Sequence, residues 1–246
     1  PLPSTSQTIQ SHGLRVTVDP ALFGAFQVRT EPKLTAQEVG DSVPEGEGPE
    51  RVGFTFTTPA PPFGDRHPKA RTSGRATVTF LPRQDPSVPD FAAAYPLLTR
   101  DIDTLQRMLA TRPGRAPEGR TLPDTFLVDA AHSMEARLTY LDLPWVHGIL
   151  YLTSYEQDFN PIDNQVLEAV FQGLSTDGRY VVAARFQLAH PQLPTVGKIQ
   201  SPEPSAEAQA RYHQEVAALL TRAKDDTFFP SLTSVKALLG SLEPAR

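Results

Sequence analysis

Proline interrupts this chain at short intervals and limits what it can fold into. The 25 prolines in 246 residues are about twice the usual share of roughly 5%, and they lie between apolar runs instead of in one tract. Proline fixes a backbone torsion and lacks the N–H that helix interiors and central strands need. The distribution therefore excludes a collagen-like repeat and predicts an ordered fold with many rigid connections.

Short runs between the prolines alternate apolar and polar residues. In the first of these runs Leu14, Val16 and Val18 are apolar, and Pro20 ends the run. A period of two residues is typical of a strand that buries one face. Comparable runs, the last of them β-branched and aromatic, predict strands at 14–19, 26–30, 54–57, 76–80, 136–140 and 149–155.

The pair Asp177-Gly178 separates two apolar runs, 166–174 and 180–188. Asp-Gly is a signal for the tight turn of a β-hairpin, because both positions of that turn need positive φ. Residues 180–184 are apolar on both faces. We therefore expect this strand to lie at the centre of the sheet.

Three segments carry the period of amphipathic helices. The first begins near Pro96, which suits the first turn of a helix. Its apolar positions are Leu98, Ile102, Leu105, Met108 and Leu109. The others are 205–224 and 231–239, where Gly240 is placed for a C-cap. Since strands and helices do not alternate regularly, we predict an α+β fold, with an antiparallel sheet of about six to eight strands and a middle helix and C-terminal helices packed on it.

The start of the chain differs from the rest. Residues 1–11 are polar, rich in Ser, Thr and Gln, and have no apolar period. They predict a flexible N-terminal tether, followed by a single α+β domain over 12–246. The chain opens with Pro1 and not with methionine, which is compatible with a removed signal or lipid anchor. No run approaches the roughly 20 apolar residues that span a bilayer, so we expect no transmembrane segment.

Composition argues against several kinds of function. The chain has no cysteine, which excludes disulfides, thiolate nucleophiles, iron–sulfur clusters and cysteine zinc sites. Lysine and arginine number 23 against 28 aspartates and glutamates, without a basic run. A nucleic-acid partner is therefore not expected. The sequence also lacks nucleotide-binding glycine motifs and a nucleophile elbow, so it predicts no cofactor.

A series of motifs in the second half resembles a known family. The motifs are YLD at 140–142, GILYLTSY at 148–155, PIDNQ at 161–165, FQGL at 171–174, DGRYVVAA at 177–184 and HPQLP at 190–194. In this order they resemble an uncharacterised family of exported bacterial proteins and lipoproteins, over about residues 136–194. The resemblance implies an extracytoplasmic location and a binding or assembly role, and it carries no catalytic residues. A looser similarity in strand order to PsbP-like accessory proteins concerns the fold alone.

Metal-ligating residues are scattered along the chain. The nearest grouping is His132 with Glu135 and Asp129; on a helix, His132 and Glu135 would share one face. Two or three such residues do not define a zinc site, so a capping or surface histidine is the simpler interpretation. Asp158, Asn160, Asp163 and Asn164 offer oxygen ligands for calcium, but Pro161 interrupts their spacing and the glycine and terminal glutamate of an EF-hand are absent, so turn formation is the preferred interpretation.

Two connections are candidate contact surfaces. The first is the segment 143–147, which holds the single tryptophan, Trp145, and His147. Trp145 is either an exposed anchor or a core side chain that folds back over the sheet edge. The second is the proline-rich connection 58–68, with Phe63 near Arg66.

These observations predict a noncatalytic, exported binding or assembly module of the bacterial cell envelope. It would act through loops at one end of its sheet, with an envelope or outer-membrane protein complex as partner. One alternative is a metal-dependent hydrolase-type enzyme that uses His132, Glu135 and Asp129. Another is a carrier of a small ligand, such as a lipid or pigment, held between the sheet and a helix.

Overall fold

A computed structural model describes residues 6–33, 48–63, 72–116, 121–125, 131–156, 160–197 and 205–245. It confirms an α+β fold with two antiparallel sheets of three and seven strands, 25% helix and 37% strand. No helix in these ranges has the length and apolar character needed to cross a bilayer.

The strands, in chain order, are β1 Gln7–Ser11, β2 Leu14–Val18, β3 Phe26–Glu31, β4 Arg51–Pro59, β5 Ser73–Pro82, β6 Ala131–His132, β7 Ala136–Asp142, β8 Val146–Thr153, β9 Tyr155–Glu156, β10 Glu168–Ser175, β11 Tyr180–Gln187 and β12 Glu243–Pro244. The helices are α1 Phe91–Ala94, α2 Pro96–Thr111, α3 Ala206–Arg222 and α4 Leu232–Gly240, with a 3₁₀ turn at Asp225–Thr227. All six strands predicted from apolar runs before the hairpin, and both hairpin strands, have counterparts here.

The large sheet has the strand order β3-β4-β5-β11-β10-β8-β7, and all its neighbours are antiparallel. The predicted hairpin around Asp177-Gly178 is β10–β11, and β11 is the fourth of the seven strands. Its central position confirms the prediction made from its two apolar faces. In the described residues, a second sheet has the order β1-β2-β12, and β6 pairs with β9.

One face of the large sheet builds the main core. One in-register row of residues runs across β4, β5, β11, β10, β8 and β7. Its six members are all buried: Phe56, Ala76, Phe186, Ala169, Leu152 and Ala136. Side chains from β1, β2, α3 and α4 pack against this face. Because successive residues of a strand point to opposite faces, the residues directly before and after these six in their strands face the other side of the sheet, where α2 packs.

Helix α2 covers only part of that second face. Its buried residues, among them Leu98 and Leu105, contact residues of β11, β10 and β8, and Leu81 of β5. Pro96 begins the helix as predicted, since the first helical position needs no N–H donor. The sheet is therefore packed on both faces towards β8 and on one face towards β3.

The tether prediction is wrong for Gln7–Ser11. These residues form β1, which pairs along its whole length with β2. Ile9 is 5% exposed and belongs to the main core. A tight turn at His12 and Gly13, both with positive φ, joins the two strands. Pairing with a neighbour satisfies the backbone of this polar segment, which its own composition could not reveal.

The predicted C-cap at Gly240 is also wrong. Gly240 is the last residue of α4, and Ser241 follows it as the cap with an ordinary right-handed φ of −91°. The Ser241 hydroxyl donates to the backbone carbonyl of Leu238 at 2.7 Å. This side-chain hydrogen bond ends the helix without a left-handed residue, so glycine is not needed there.

Candidate functional site

A cluster of ionisable side chains lies at the end of the large sheet where β8 finishes. His132 occupies β6, Glu135 follows three residues later, and Asp124 comes from the segment 121–125. The His132 ring contacts both carboxylates, at 3.5 Å from Nε2 to Asp124 Oδ2 and 3.4 Å from Nδ1 to Glu135 Oε1. The imidazole is 5% exposed, so its two nitrogens interact mainly with protein acids and not with water.

Two tyrosines surround this histidine. The Tyr155 hydroxyl donates to Asp124 Oδ2 at 2.6 Å, and the rings of Tyr155 and Tyr151 lie 5.2 and 5.6 Å from the imidazole. Pairing of β6 with β9 places His132 directly opposite Tyr155. The cluster is thus assembled by a short strand pair together with β8.

An ion pair of the β10–β11 hairpin extends the cluster. Arg185 Nε donates to Glu168 Oε2 at 2.6 Å, and the guanidinium lies 4.4 Å from the centre of the Tyr155 ring. A cation over an aromatic face at this distance is favourable, more so when it is partly desolvated. Arg185 therefore connects the hairpin to the tyrosine that holds Asp124.

The cluster favours a positive charge on His132. Burial disfavours the charged imidazole, but hydrogen bonds and charge interactions with Asp124 and Glu135 outweigh it and raise the pKa from 6.5 to about 9. Burial and the nearby Asp124 raise the pKa of Tyr155 as well. Near neutral pH the centre is a cation between two carboxylates, which suits an ion-pair network and not a general base or a neutral metal ligand.

The predicted proximity of His132 and Glu135 is confirmed, but its helical basis is wrong, because His132 lies in a strand. Asp124, which the sequence did not single out, is the third member, while Asp129 lies outside the described residues. No group of His, Asp and Glu in the described ranges is arranged to hold a metal ion.

The loop with possible calcium ligands is explained by turns. Asp163 accepts the backbone N–H groups of Gln165 at 2.7 Å and Gly197 at 2.6 Å. Asn164 Oδ1 accepts the N–H of His190 at 2.7 Å. These bonds use the side-chain oxygens to connect loops, so the turn interpretation is confirmed for Asp163 and Asn164; Asp158 lies outside the described residues.

Trp145 is part of the core. Its exposure is 7%, and its ring lies 6.1 Å from that of Phe80 and 5.9 Å from that of Tyr180. The interpretation as an exposed anchor is wrong, and folding back over the sheet is confirmed. These aromatic neighbours belong to β5 and β11. They lie beside the β7–β8 connection because of the order of the strands in the sheet, which the sequence did not reveal.

The four residues predicted to bind do not share one surface. His147 is half exposed at the start of β8, where its Nδ1 lies 3.2 Å from Asp142 Oδ1. Phe63 follows the end of β4, and β4 and β8 run in the same direction in this antiparallel sheet. The two connections therefore lie at opposite ends of the sheet, and a single loop surface is excluded. Arg66 lies outside the described residues.

A different surface is open on the helix-facing side of β3, β4 and β5. Its residues form in-register rows on one face, because they alternate along their strands with Phe54, Phe56, Ala76 and Val78 of the main core and with Val28, which packs against it. We call this surface the open face; it consists of Gln27, Arg29, Thr55, Thr57, Arg75 and Thr77. Thr55 and Thr77 are half buried, and the other four residues are exposed. None of the three hydrophobic clusters of the described residues includes them.

The open face is continuous with the ionisable cluster. Thr55, Thr77 and Arg185 lie in register on three adjacent strands, so the row leads from the exposed edge to the Arg185–Glu168 pair. The connection that carries Phe63 leaves β4 two residues after Thr57. This end of the sheet therefore combines the exposed Arg75, the hydroxyl group of Thr57 and this half-buried aromatic side chain.

Comparison with known proteins adds no identification. No family model, curated protein or solved structure matches this chain. The chemistry of the open face and the ionisable cluster is therefore the basis for the proposals that follow.

Proposed function

We propose that this chain is a noncatalytic, exported binding module of the bacterial cell envelope that acts through the open face and the nearby Phe63. One observation carries the proposal: on β3, β4 and the start of β5 the helix-facing side of the sheet is polar, with four exposed and two half-buried residues, while α2 covers the other half of that side. A sheet usually buries its apolar surface against another layer. The open face offers guanidinium and hydroxyl groups in fixed positions instead.

The ionisable cluster supports binding over catalysis. His132 contacts both Asp124 and Glu135, and these two carboxylates keep the imidazole protonated and therefore positively charged. A general base needs an unprotonated nitrogen or oxygen within reach of substrate. Here the same groups link β6 to the residue that precedes β7 and to the segment 121–125, which is a structural role.

The location and the class of partner rest on the sequence resemblance at 136–194. An exported protein with this face would contact a component of the envelope. Trp145 and His147 are not part of this proposal, because one is buried and the other lies at the opposite end of the sheet.

Site-specific photo-crosslinking tests the proposal. A benzophenone amino acid at the exposed Thr57 should give adducts with a component of the envelope fraction of the source cells. The same group at the exposed Thr221, on α3 behind the opposite side of the sheet, is the matched control. We expect adducts from position 57 and none from position 221, and fewer adducts from position 57 when Phe63→Ala is added.

Equal yields from the two positions, or none from position 57, would remove the open face as the binding surface. Recovery of the envelope component in a cleaved form would contradict the noncatalytic part of the proposal. Circular dichroism of each variant establishes that folding is unchanged, since both positions are exposed.

A further inference from the structure

We propose that the open face binds an acidic polysaccharide, whose carboxylates pair with Arg29 and Arg75. This inference rests on the proposed function and names the class of its ligand. It depends on the spacing of these two arginines, on the absence of an acidic partner for either of them among the described residues, and on the hydroxyl groups between them.

The two arginines are far apart on a regular surface. Arg29 is opposite Gly53 of β4, whereas Arg75 is opposite Thr57, four residues further along that strand. They also lie two strands apart. With a strand spacing of about 4.8 Å and a rise of about 3.4 Å per residue, their backbones are about 17 Å apart. A small anion cannot pair with both, so the ligand that uses both must be extended and carry repeated charges.

The charges of Arg29 and Arg75 are available. Arg29 donates to Gln27 Oε1 at 2.9 Å, and the ion pairs among the described residues involve neither Arg29 nor Arg75. By contrast, Arg185 at the inner border of the face is paired with Glu168. Two exposed cations that have no acidic partner among the described residues are locally complementary to an anionic ligand. A guanidinium group pairs with carboxylates in a bidentate, directional way.

The surface between the arginines matches a polyhydroxylated ligand. Thr55, Thr57 and Thr77 present hydroxyl groups that can donate and accept hydrogen bonds. Gly53 adds no side chain above the strand, and a Cβ built there would meet no atom closer than 3.8 Å. The floor is therefore flat and polar, as the hydroxyl groups of a sugar chain require.

Other polyanions fit less well. An anionic bilayer is usually bound by four to eight clustered basic residues or by an apolar helix face that enters the interface. Nucleic-acid binding depends on neutralising many phosphates. The open face has two arginines and no large apolar side chain, which favours a hydroxyl-rich chain of lower charge density.

Affinity electrophoresis of the full chain tests the ligand class. The native gel contains polygalacturonate as the acidic polysaccharide, or dextran as a neutral one. We expect polygalacturonate to retard the protein, and dextran to leave its mobility unchanged. The double variant Arg29→Glu with Arg75→Glu should weaken the apparent affinity at least tenfold. The matched control, Arg211→Glu with Arg222→Glu, makes the same charge change at exposed positions of α3 and should retain binding.

The outcomes separate this inference from the proposed function. Absence of retardation by polygalacturonate, or equal weakening in the two double variants, overturns the acidic polysaccharide. Retardation by dextran, or co-sedimentation with phosphatidylglycerol vesicles without binding to polygalacturonate, also overturns it. A protein subunit in the position 57 adducts would also overturn the acidic polysaccharide, but it would leave the open face as a binding surface. The proposed function is removed by the crosslinking outcomes given for it above, and not by the electrophoresis.

Discussion

The two halves of the large sheet differ in how many of their faces are packed. Strands β8, β10 and β11 lie between the main core and α2, and they bury residues on both sides. Strand β4 buries Phe54 and Phe56 on one face, the edge strand β3 packs only Val28 against that core, and both strands leave the other face polar. The difference follows from the length of α2, whose 16 residues span about 24 Å and cannot cover all seven strands.

The same contrast governs the charged residues. In the covered half His132 and Arg185 are held by acids and tyrosines at short distances. In the open half Arg29 and Arg75 are exposed. A charge taken out of water must be paired by the protein, whereas an exposed charge need not be. We infer that the covered half supplies stability and that the open half supplies recognition.

The largest expected effect is on the buried cluster. Replacing His132 by glutamine leaves the carboxylates of Asp124 and Glu135 without their cation. Removing one partner of a buried ion pair typically costs about 3–5 kcal/mol, and we expect a loss of this size in the free energy of unfolding, measured with urea at pH 7. His147→Gln is the control, because that ring is half exposed and its loss should cost less than about 0.5 kcal/mol. Similar losses in both variants would mean that the cluster is not buried in solution.

The pH dependence of stability sharpens this test. The pKa of His132 is raised from 6.5 to about 9 in the folded protein. The cluster therefore contributes its full stabilisation below pH 6.5 and loses it as the pH rises through 9. The shift corresponds to about 3 kcal/mol. Urea unfolding at pH 7 and pH 9.5 should show this decrease, and His132→Gln should flatten it. A wild-type curve that is level over this range would contradict the ion-pair assignment.

Two strand glycines compare the packed main-core face of the covered half with the open face of the other half, since Gly148 lies on the same side of β8 as Leu150 and Leu152. A Cβ at Gly148 of β8 would lie 2.4 Å from a ring carbon of Phe171, whereas a Cβ at Gly53 of β4 would meet nothing closer than 3.8 Å. Overpacking costs about 1–3 kcal/mol, so we expect Gly148→Ala to lower stability by that amount. Gly53→Ala should be neutral or slightly stabilising, because alanine restricts the unfolded chain. Thermal unfolding monitored by circular dichroism compares them, and equal losses would contradict the packing difference.

The sequence predicts the large sheet well because period-two runs and one Asp-Gly turn are local signals. Strands β6, β9 and β12 have two residues each, too few for any period to be visible. Strand β1 is polar except for Ile9, and it becomes a strand only through pairing with β2. Its assignment as a tether shows that composition cannot detect a segment stabilised mainly by a neighbour.

The cluster was predictable only where its members are close in sequence. His132 and Glu135 are three residues apart, but Tyr155 joins them through the β6–β9 pairing, and Asp124 through its contacts with Tyr155 and His132. For Arg185 and Glu168 a usable signal existed. Counting register outwards from the Asp177-Gly178 turn places Arg185 opposite Val170 and therefore on the same face as Glu168. Trp145 could not be assigned in this way, because its neighbours depend on the strand order.

The smallest expected effect concerns a row that crosses both halves. Thr77 of β5, Arg185 of β11 and Val170 of β10 are in register, but Thr77 is half buried on the open face and Val170 is fully buried beneath α2. Thr77→Ala should cost about 0.5 kcal/mol, the size of an exposed cross-strand contact. Val170→Ala removes two buried carbon atoms, at about 0.8 kcal/mol each plus the cavity left behind. Urea unfolding of the two variants under one set of conditions measures the difference. If Thr77→Ala cost as much as Val170→Ala, the open face would be packed against something in solution, and both proposals for it would lose their basis.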